Sequence, residues 1–412
     1  MAKTIFFSVG EPSGDLHGAN LIRSFQRRGD NVRAVGFGGP RMAGAGADLL
    51  FDLTQLAVMG FIEVFWKLPQ FFRLKALAEK YFAEHRPDAV VLIDFPGFNW
   101  HIAKVAKKHG IPVFYYGTPQ VWGWAGWRVK KLRAYVDHAL CKLPFEEAWL
   151  RERGVNATYV GHPYFDELHS RVLDKEFVTE HTDEKHPLVT LLPGSRTQEV
   201  RGNFHWQLEA MKKIRCRVPH ARFAVAAFKE KHVALAEEAI RAAGMVRGEG
   251  PTIYVGKTPE LIEAATCCLA VSGSVSLELL HHAKPTVILY HVSSFAYWLQ
   301  SLFRRVPYIT LVNLLTAPEL FPEKVGVYDR RDAKDAHVLM PEYLTYQDKS
   351  DDLAYHAVQW LNSKEDRTEL VERMTVLKNK VAVAGASERA AEYVLRELGL
   401  STGDVQGHAE AA

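Results

Sequence analysis

Four short segments hold the residues whose types and spacing could do chemistry. In Val91-Leu-Ile-Asp94-Phe-Pro-Gly-Phe-Asn99 a single carboxylate follows an apolar run. A strand ending there sets Asp94 at the carboxyl edge of a sheet, where α/β proteins bind ligands. A lone Asp in that place suits a general base for a hydroxyl nucleophile, with a structural anchor as the plainer use. Asn99 reads as the cap of the following helix. Leu191-Leu-Pro-Gly194-Ser195-Arg196 brings together loop amides, a hydroxyl and a guanidinium, the set a diphosphate requires. Val271-Ser-Gly273-Ser274-Val-Ser276-Leu-Glu278 repeats the small-residue loop, and Glu278, one turn on, is placed to accept two ribose hydroxyls. Two such loops in one half of the chain point to a nucleoside diphosphate. The fourth segment, Gly10-Glu11-Pro-Ser13-Gly14-Asp15, puts two carboxylates where a phosphate would want positive charge, so it suits sugar hydroxyls. Neither G-x-G-x-x-G nor a phosphate-loop Lys is present there. Nowhere are two aspartates separated by one residue, so a metal-bridging pair is not expected. No metal and no cofactor are expected, and the charge on a departing diphosphate would fall to Arg196 and helix amides.

These segments need strands that end under them and helices that leave them. Ile5 to Phe7 is a short apolar run, Gly10, Pro12 and Gly14 punctuate a turn, and Gly18, Ile22 and Phe25 recur at helical spacing. Further strands are expected at 32–39, 89–93, 111–116, 139–143 and 158–160, with helices at 69–85 and 99–109. From Asp166 to His186 the composition turns heavily charged, as in an interdomain segment. The pattern then restarts, with strands at 188–192, 223–227, 253–255, 268–271 and 286–290 and a helix from about 204 to 218. The expected class is α/β: two Rossmann-like, doubly wound domains facing each other across a cleft. Residues 1–165 are expected to form the acidic-loop domain, suited to a sugar, and 166–367 the domain that binds a nucleoside diphosphate. A helical segment follows at 368–400, and 401–412 read as a mobile tail.

The bulk properties exclude several classes. At 412 residues with 48% hydrophobic and 24% charged content, the chain has the composition of a globular protein with two or three cores. A net charge of +3 does not argue for nucleic acid. Cys141, Cys216, Cys267 and Cys268 show no C-x-x-C spacing, which fits a reducing cytoplasm and no zinc site. The first residues run straight into a strand, leaving no room for a secretory signal, and no apolar run approaches the ~20 residues that cross a bilayer. Two stretches are nonetheless apolar for a loop-rich enzyme. Val58 to Arg73 holds Phe61, Phe65, Trp66, Phe71 and Phe72 beside Lys67, Arg73 and Lys75, and Phe295 to Arg305 has the same mixture. Core packing or a homo-oligomer interface is one use for them. Contact with anionic lipid, or an entrance for acyl chains, is the other.

Taken in order, the motifs resemble the lipid-A-disaccharide synthase family. The matching pieces are Gly10 to Asp15, Gly38-Gly-Pro-Arg-Met42, Val58-Met59-Gly60 with Glu63-Val64, and Asp94 to Asn99. They continue through Pro119-Gln120-Val-Trp122, Leu143-Pro-Phe-Glu146, Gly161-His162, Leu192 to Arg196 with Glu199-Val200, Ser272-Gly273 with Leu277-Glu278, and Asn313-Leu-Leu315. The resemblance implies a GT-B fold and an inverting, metal-independent glycosyltransferase. That enzyme moves 2,3-diacylglucosamine from UDP onto 2,3-diacylglucosamine 1-phosphate, on the inner face of the inner membrane. It implies Asp94 as the essential carboxylate. Gly194, Ser195, Arg196, Glu199, Gly273, Ser274, Ser276, Glu278 and Asn313 would lie on the donor, and Glu11, Ser13, Gly14, Asp15, Met59, Gln120 and Trp122 on the acceptor. The chain departs from the family pattern at Gly97, where Asp is frequent, at Ala125, where an Arg is frequent, and after Asn313, where Leu314 to Glu319 replaces a Gly-Arg-Glu run. Three other functions fit the same architecture: a sibling transferase with another acceptor, a UDP-sugar 2-epimerase, and a non-catalytic UDP-sugar-binding membrane scaffold.

Overall fold

The computed structural model describes residues 2–29, 32–57, 68–246 and 248–400. They fall into two compact units, one formed by the chain up to Glu167 together with residues from Ala384 onward, the other by Leu168–Val383.

The first unit holds seven parallel strands: β1 (Lys3–Val9), β2 (Val32–Gly38), β3 (Asp48–Asp52), β4 (Ala89–Ile93), β5 (Val113–Tyr116), β6 (His138–Cys141) and β7 (Ala157–Tyr159). Their order is β3-β2-β1-β4-β5-β6-β7. Apolar runs such as Ile5-Phe-Phe7 and Val90-Val-Leu-Ile93 suit strands covered on both faces, and all of these side chains are buried. Pairing of β1 runs through Phe7 to Gly36 on one side and Val9 to Ile93 on the other. Gly36 has φ +134°, and a Cβ there would lie 2.2 Å from the Phe7 carbonyl oxygen, so only glycine lets β1 and β2 meet at that point.

The second unit repeats the pattern with six parallel strands: β8 (Leu188–Leu192), β9 (Arg222–Ala227), β10 (Thr252–Val255), β11 (Cys267–Val271), β12 (Thr286–His291) and β13 (Glu342–Thr345), ordered β10-β9-β8-β11-β12-β13. In both sheets the order reverses beside the first strand. The switch points therefore lie between β1 and β4 and between β8 and β11, where doubly wound proteins open a ligand crevice at the carboxyl ends of the strands. All four segments singled out from the sequence sit at these two places.

Some elements differ from the sequence reading. β3 and β13 were not expected: Asp48-Leu-Leu-Phe-Asp52 is bounded by charge at the sheet edge, and Glu342-Tyr-Leu-Thr345 hides a carboxylate in a buried strand. Helix Pro96–Lys108 begins at Pro96, with Phe95 rather than Asn99 at its cap. Helix Thr197–Arg217 starts seven residues earlier than the hydrophobic pattern suggests. The helical stretch expected at 368–400 is divided by Gly385 (φ +91°) into Lys364–Val381, in the second unit, and Ala386–Glu397, in the first. The latter packs Ala390, Ala391, Val394 and Leu395 into one core with Leu21, Ile22 and Phe25 of helix Pro12–Arg27. Its amino terminus is held by the Asp166 carboxylate, which accepts from the amides of Gly385, Ala386 and Ser387 at 2.7, 3.0 and 2.8 Å. The final residues, 401–412, lie outside the described residues.

Candidate functional site

At the switch point of the first sheet, Asp94 follows β4 directly and adopts φ +47°, with Phe95 next to it at +44°. Two consecutive left-handed non-glycine residues store roughly 1–3 kcal/mol each, a cost that persists only where surrounding contacts enforce it. Here they do. The Asp94 carbonyl accepts from the Tyr115 hydroxyl at 2.7 Å and from Asn99 Nδ2 at 2.8 Å. Asn99, fully buried, also accepts from Ser8 Oγ at 2.7 Å and donates to the Ser8 carbonyl, tying the end of β1 to that of β4. The Phe95 ring lies against Gly10, where a Cβ would stand 2.4 Å from it, and a Cβ on Gly14 would be 3.6 Å from Asp94 Oδ2. The glycines of the first loop are the space into which the Asp94 turn fits.

Beside that carboxylate stands a lysine absent from the sequence reading. Lys142, just after β6, brings Nζ to 3.3 Å from Asp94 Oδ1, with the two side chains 15% and 23% exposed. Burial by itself would lower the Lys142 pKa, but the nearby Asp94, then Glu146, leave it raised, so the ammonium stays charged. His17 is buried in helix Pro12–Arg27, its Nδ1 has no partner, and burial lowers its pKa to about 4. His162, of the Gly161-His162 motif, is likewise pushed well below its usual range by burial, then by Lys142. Both imidazoles are neutral at pH 7. Only the position of Lys142 at the end of a strand, next to the Leu143-Pro-Phe-Glu146 motif, could have pointed to it.

Other residues expected on the acceptor are used by the fold itself. Asp15 is buried, and its carboxylate accepts from the amides of Gly39, Arg41 and Met42 at 2.8, 3.0 and 3.1 Å, capping the short helix Pro40–Gly44. It therefore anchors the β2 loop. Trp122 is buried with its indole N–H on Glu146 Oε1 at 2.8 Å, and Glu146 also accepts from the amides of Lys142 and Leu143. Ser13 and Gln120 are exposed, Gly14 is buried, and Glu11 is partly buried at the start of helix Pro12–Arg27. Met59 lies outside the described residues.

At the switch point of the second sheet, the loops after β8 and β11 are neighbours through the Leu192–Ala270 pairing. Gly194 has φ +115°, and a Cβ there would stand 2.5 Å from Glu199 Cβ, which lets the loop close onto Glu199. The Glu199 carboxylate accepts from the amides of Ser195 and Arg196 at 3.0 and 3.1 Å. Glu199 thus closes a capping box at the start of helix Thr197–Arg217, on the amides expected to cradle phosphate. The Arg196 side chain is 77% exposed and gives a single N–H, at 3.2 Å, to Glu199 Oε1, so most of its fork points to solvent. Gly273 and Ser274 are exposed. Ser276 is buried, with its hydroxyl on the Gly273 carbonyl at 2.8 Å. Glu278 is buried and pairs through Oε1 with Arg171. Asn313 is fully buried: its Nδ2 donates to the Met340 carbonyl and Glu342 Oε2 at 2.7 and 2.9 Å, and its Oδ1 accepts from the Met340 amide. These partners make it a staple of the segment that enters β13.

Of the residues expected to meet acyl chains or membrane, Phe61, Phe65 and Trp66 lie outside the described residues. Phe71 packs on Phe95 and Phe98 with centroids 6.0 and 5.4 Å apart, behind the Asp94 turn, while Phe72 is 65% exposed. Helix Ser294–Phe303 buries none of its residues and exposes Phe295, Trp298, Leu299, Leu302 and Phe303, with Arg304 and Arg305 following. Among the described residues no helix is long and apolar enough to cross a membrane.

Two parallel Rossmann-like α/β domains, each with loops gathered at its switch point, define the class shared by GT-B glycosyltransferases and UDP-GlcNAc 2-epimerases. The UDP-GlcNAc 2-epimerase from Neisseria meningitidis bound to UDP-GlcNAc matches with a TM-score of 0.60 at 10% identity, covering 96% of this chain and 99% of that one. The glycotransferase of kitacinnamycin matches at 0.58 and 15% identity, covering 96% and 98%. Those likenesses concern the fold. The sequence is more specific: a profile for lipid-A-disaccharide synthetase matches residues 5–373. The lipid-A-disaccharide synthase of Myxococcus xanthus (strain DK1622) is 33% identical over 396 residues, 96% of this chain and 97% of that protein. The chain belongs to the lipid-A-disaccharide synthetase family, and the epimerase and scaffold readings are set aside.

Proposed function

We propose that this chain is an inverting, metal-independent glycosyltransferase. It moves 2,3-diacylglucosamine from UDP to 2,3-diacylglucosamine 1-phosphate, giving the β-1,6-linked lipid A disaccharide 1-phosphate and UDP. The structural observation that carries the reading is Asp94, a carboxylate held in a left-handed turn at the switch point of the first sheet with Oδ2 over the Gly14 surface. In that role Asp94 takes the proton of the acceptor hydroxyl as its oxygen bonds to the anomeric carbon and the bond from that carbon to UDP breaks. The second unit meets the leaving diphosphate with the exposed Arg196 fork and the positive end of helix Thr197–Arg217. Glu11 and Ser13 remain in the acceptor role, and Gly273 and Ser274 in the donor role.

The substrates are lipids, so the enzyme works peripherally on the anionic inner face of the inner membrane. Helix Ser294–Phe303 with Arg304 and Arg305 supports this, since exposed aromatic rings beside cations favour a charged lipid surface. The direct test is UDP release by purified protein given UDP-2,3-diacylglucosamine with and without 2,3-diacylglucosamine 1-phosphate, in the presence of EDTA. Release is expected only with both substrates. Equal release without acceptor, or dependence on an added divalent cation, would sink this reading.

A further inference from the structure

We propose that Lys142 is a positioning residue for Asp94, pinning Oδ1 so that Oδ2 alone faces the acceptor hydroxyl; this rests on Asp94 being the base. Lys142 is built into place from three sides. Its amide is fixed by Glu146 Oε2 at 2.9 Å, and Glu146 is itself held by the Trp122 indole. Its side chain crosses Gly117, which has φ +71° and where a Cβ would stand 3.1 Å from Lys142 Cδ and 3.4 Å from Nζ. A larger residue at 117 would crowd the ammonium away from its partner. The chain ends at Asp94 Oδ1, 3.3 Å away.

The neighbourhood leaves this task to Lys142. His17 and His162 are both kept neutral by burial, so neither supplies a charge to orient the carboxylate. The Asp94 carbonyl is already held by Tyr115 and Asn99, which fixes the backbone but not the rotation of the carboxylate. The ammonium fixes that rotation. A base whose carboxylate swings loses the near-attack geometry even though its chemistry is intact, and a displacement of ~1 Å can cost roughly 10²-fold in rate.

A double-mutant cycle on the full-length protein tests this, with kcat, the KM for UDP-sugar, and UDP affinity measured for Lys142→Met, Lys142→Arg, Asp94→Asn and Lys142→Met/Asp94→Asn. Lys142→Met should lower kcat by about 10²-fold with the KM for UDP-sugar unchanged. Lys142→Arg should recover part of the loss. In the Asp94→Asn background the Lys142→Met change should cost almost nothing more, since there is no longer a base to position. A native circular-dichroism spectrum and melting curve show that each variant is folded, and native UDP affinity shows that the second unit is undisturbed. If Asp94→Asn is crippled but Lys142→Met turns over normally, the positioning role alone is overturned. Equal losses from Lys142→Met with and without Asp94 overturn it too, because the lysine then acts elsewhere. If Asp94→Asn itself turns over normally, the reading of the base falls and this proposal with it.

Discussion

The two sheets share one strand order, yet their switch points are furnished in opposite ways. In the first unit the carboxylate we propose as the base is withdrawn: Asp94 is 23% exposed, its backbone is strained, and Lys142, Tyr115, Asn99 and the neutral His17 surround it. In the second unit the polar side chains Ser276, Glu278 and Asn313 are turned inward, and the group offered to solvent is the Arg196 fork at 77% exposure. The difference suits the roles we propose for the two places. A proton acceptor needs one carboxylate oriented and shielded from water, whereas a diphosphate needs an open cation at a helix amino terminus. Topology supplies the location, and the side chains decide which half of the reaction it serves.

The comparison breaks most visibly at Asp94. Asp94→Asn keeps the shape but removes the basicity, so turnover should fall by ~10²–10⁴ while UDP-sugar still binds. Steady-state kinetics beside calorimetry would check both halves, and loss of nucleotide binding in that variant would mean that the two roles are not separable. Next comes Arg196. Arg196→Ala should reduce kcat by roughly 10²–10³-fold. Arg196→Lys should recover little, because a point charge cannot reproduce the fork; full activity in the Lys variant would show that charge alone suffices. The smallest effect concerns the contrast between a desolvated and an open site. Burial lowers the His17 pKa from 6.5 to about 4. Between those values the unfolded chain binds a proton that the folded one refuses. The contribution of His17 is therefore fully present above pH 6.5 and is lost as pH falls through about 4. At most this amounts to roughly 3 kcal/mol. Urea unfolding of wild type and His17→Leu from pH 4 to 7 should give a flatter pH dependence in the variant. Parallel curves would show that the imidazole takes up its proton as readily in the fold as in the unfolded chain.

By itself the sequence determined the class and the places. Alternating apolar runs such as Ile5 to Phe7, Ala89 to Ile93 and Leu188 to Leu192 mark buried parallel strands because side chains covered on both faces must be apolar. The segments that follow them, Gly10 to Asp15, Asp94 to Asn99, Gly194 to Arg196 and Gly273 to Glu278, are legible as loops with chemistry. Their order along the chain carries the family. What it could not settle was which polar atoms stay available, because a hydrogen bond to a residue distant in the chain leaves no local pattern. Asp15 looks like a ligand until the amides of the 39–42 loop arrive, and Asn313 until Met340 and Glu342 do. The amides of Ser195 and Arg196 look ready for phosphate until Glu199 caps them. Lys142 looks like any strand-end lysine until β6 sets it beside Asp94. Only tertiary structure decides these, since a buried polar group must be satisfied by whatever the fold brings within ~3 Å.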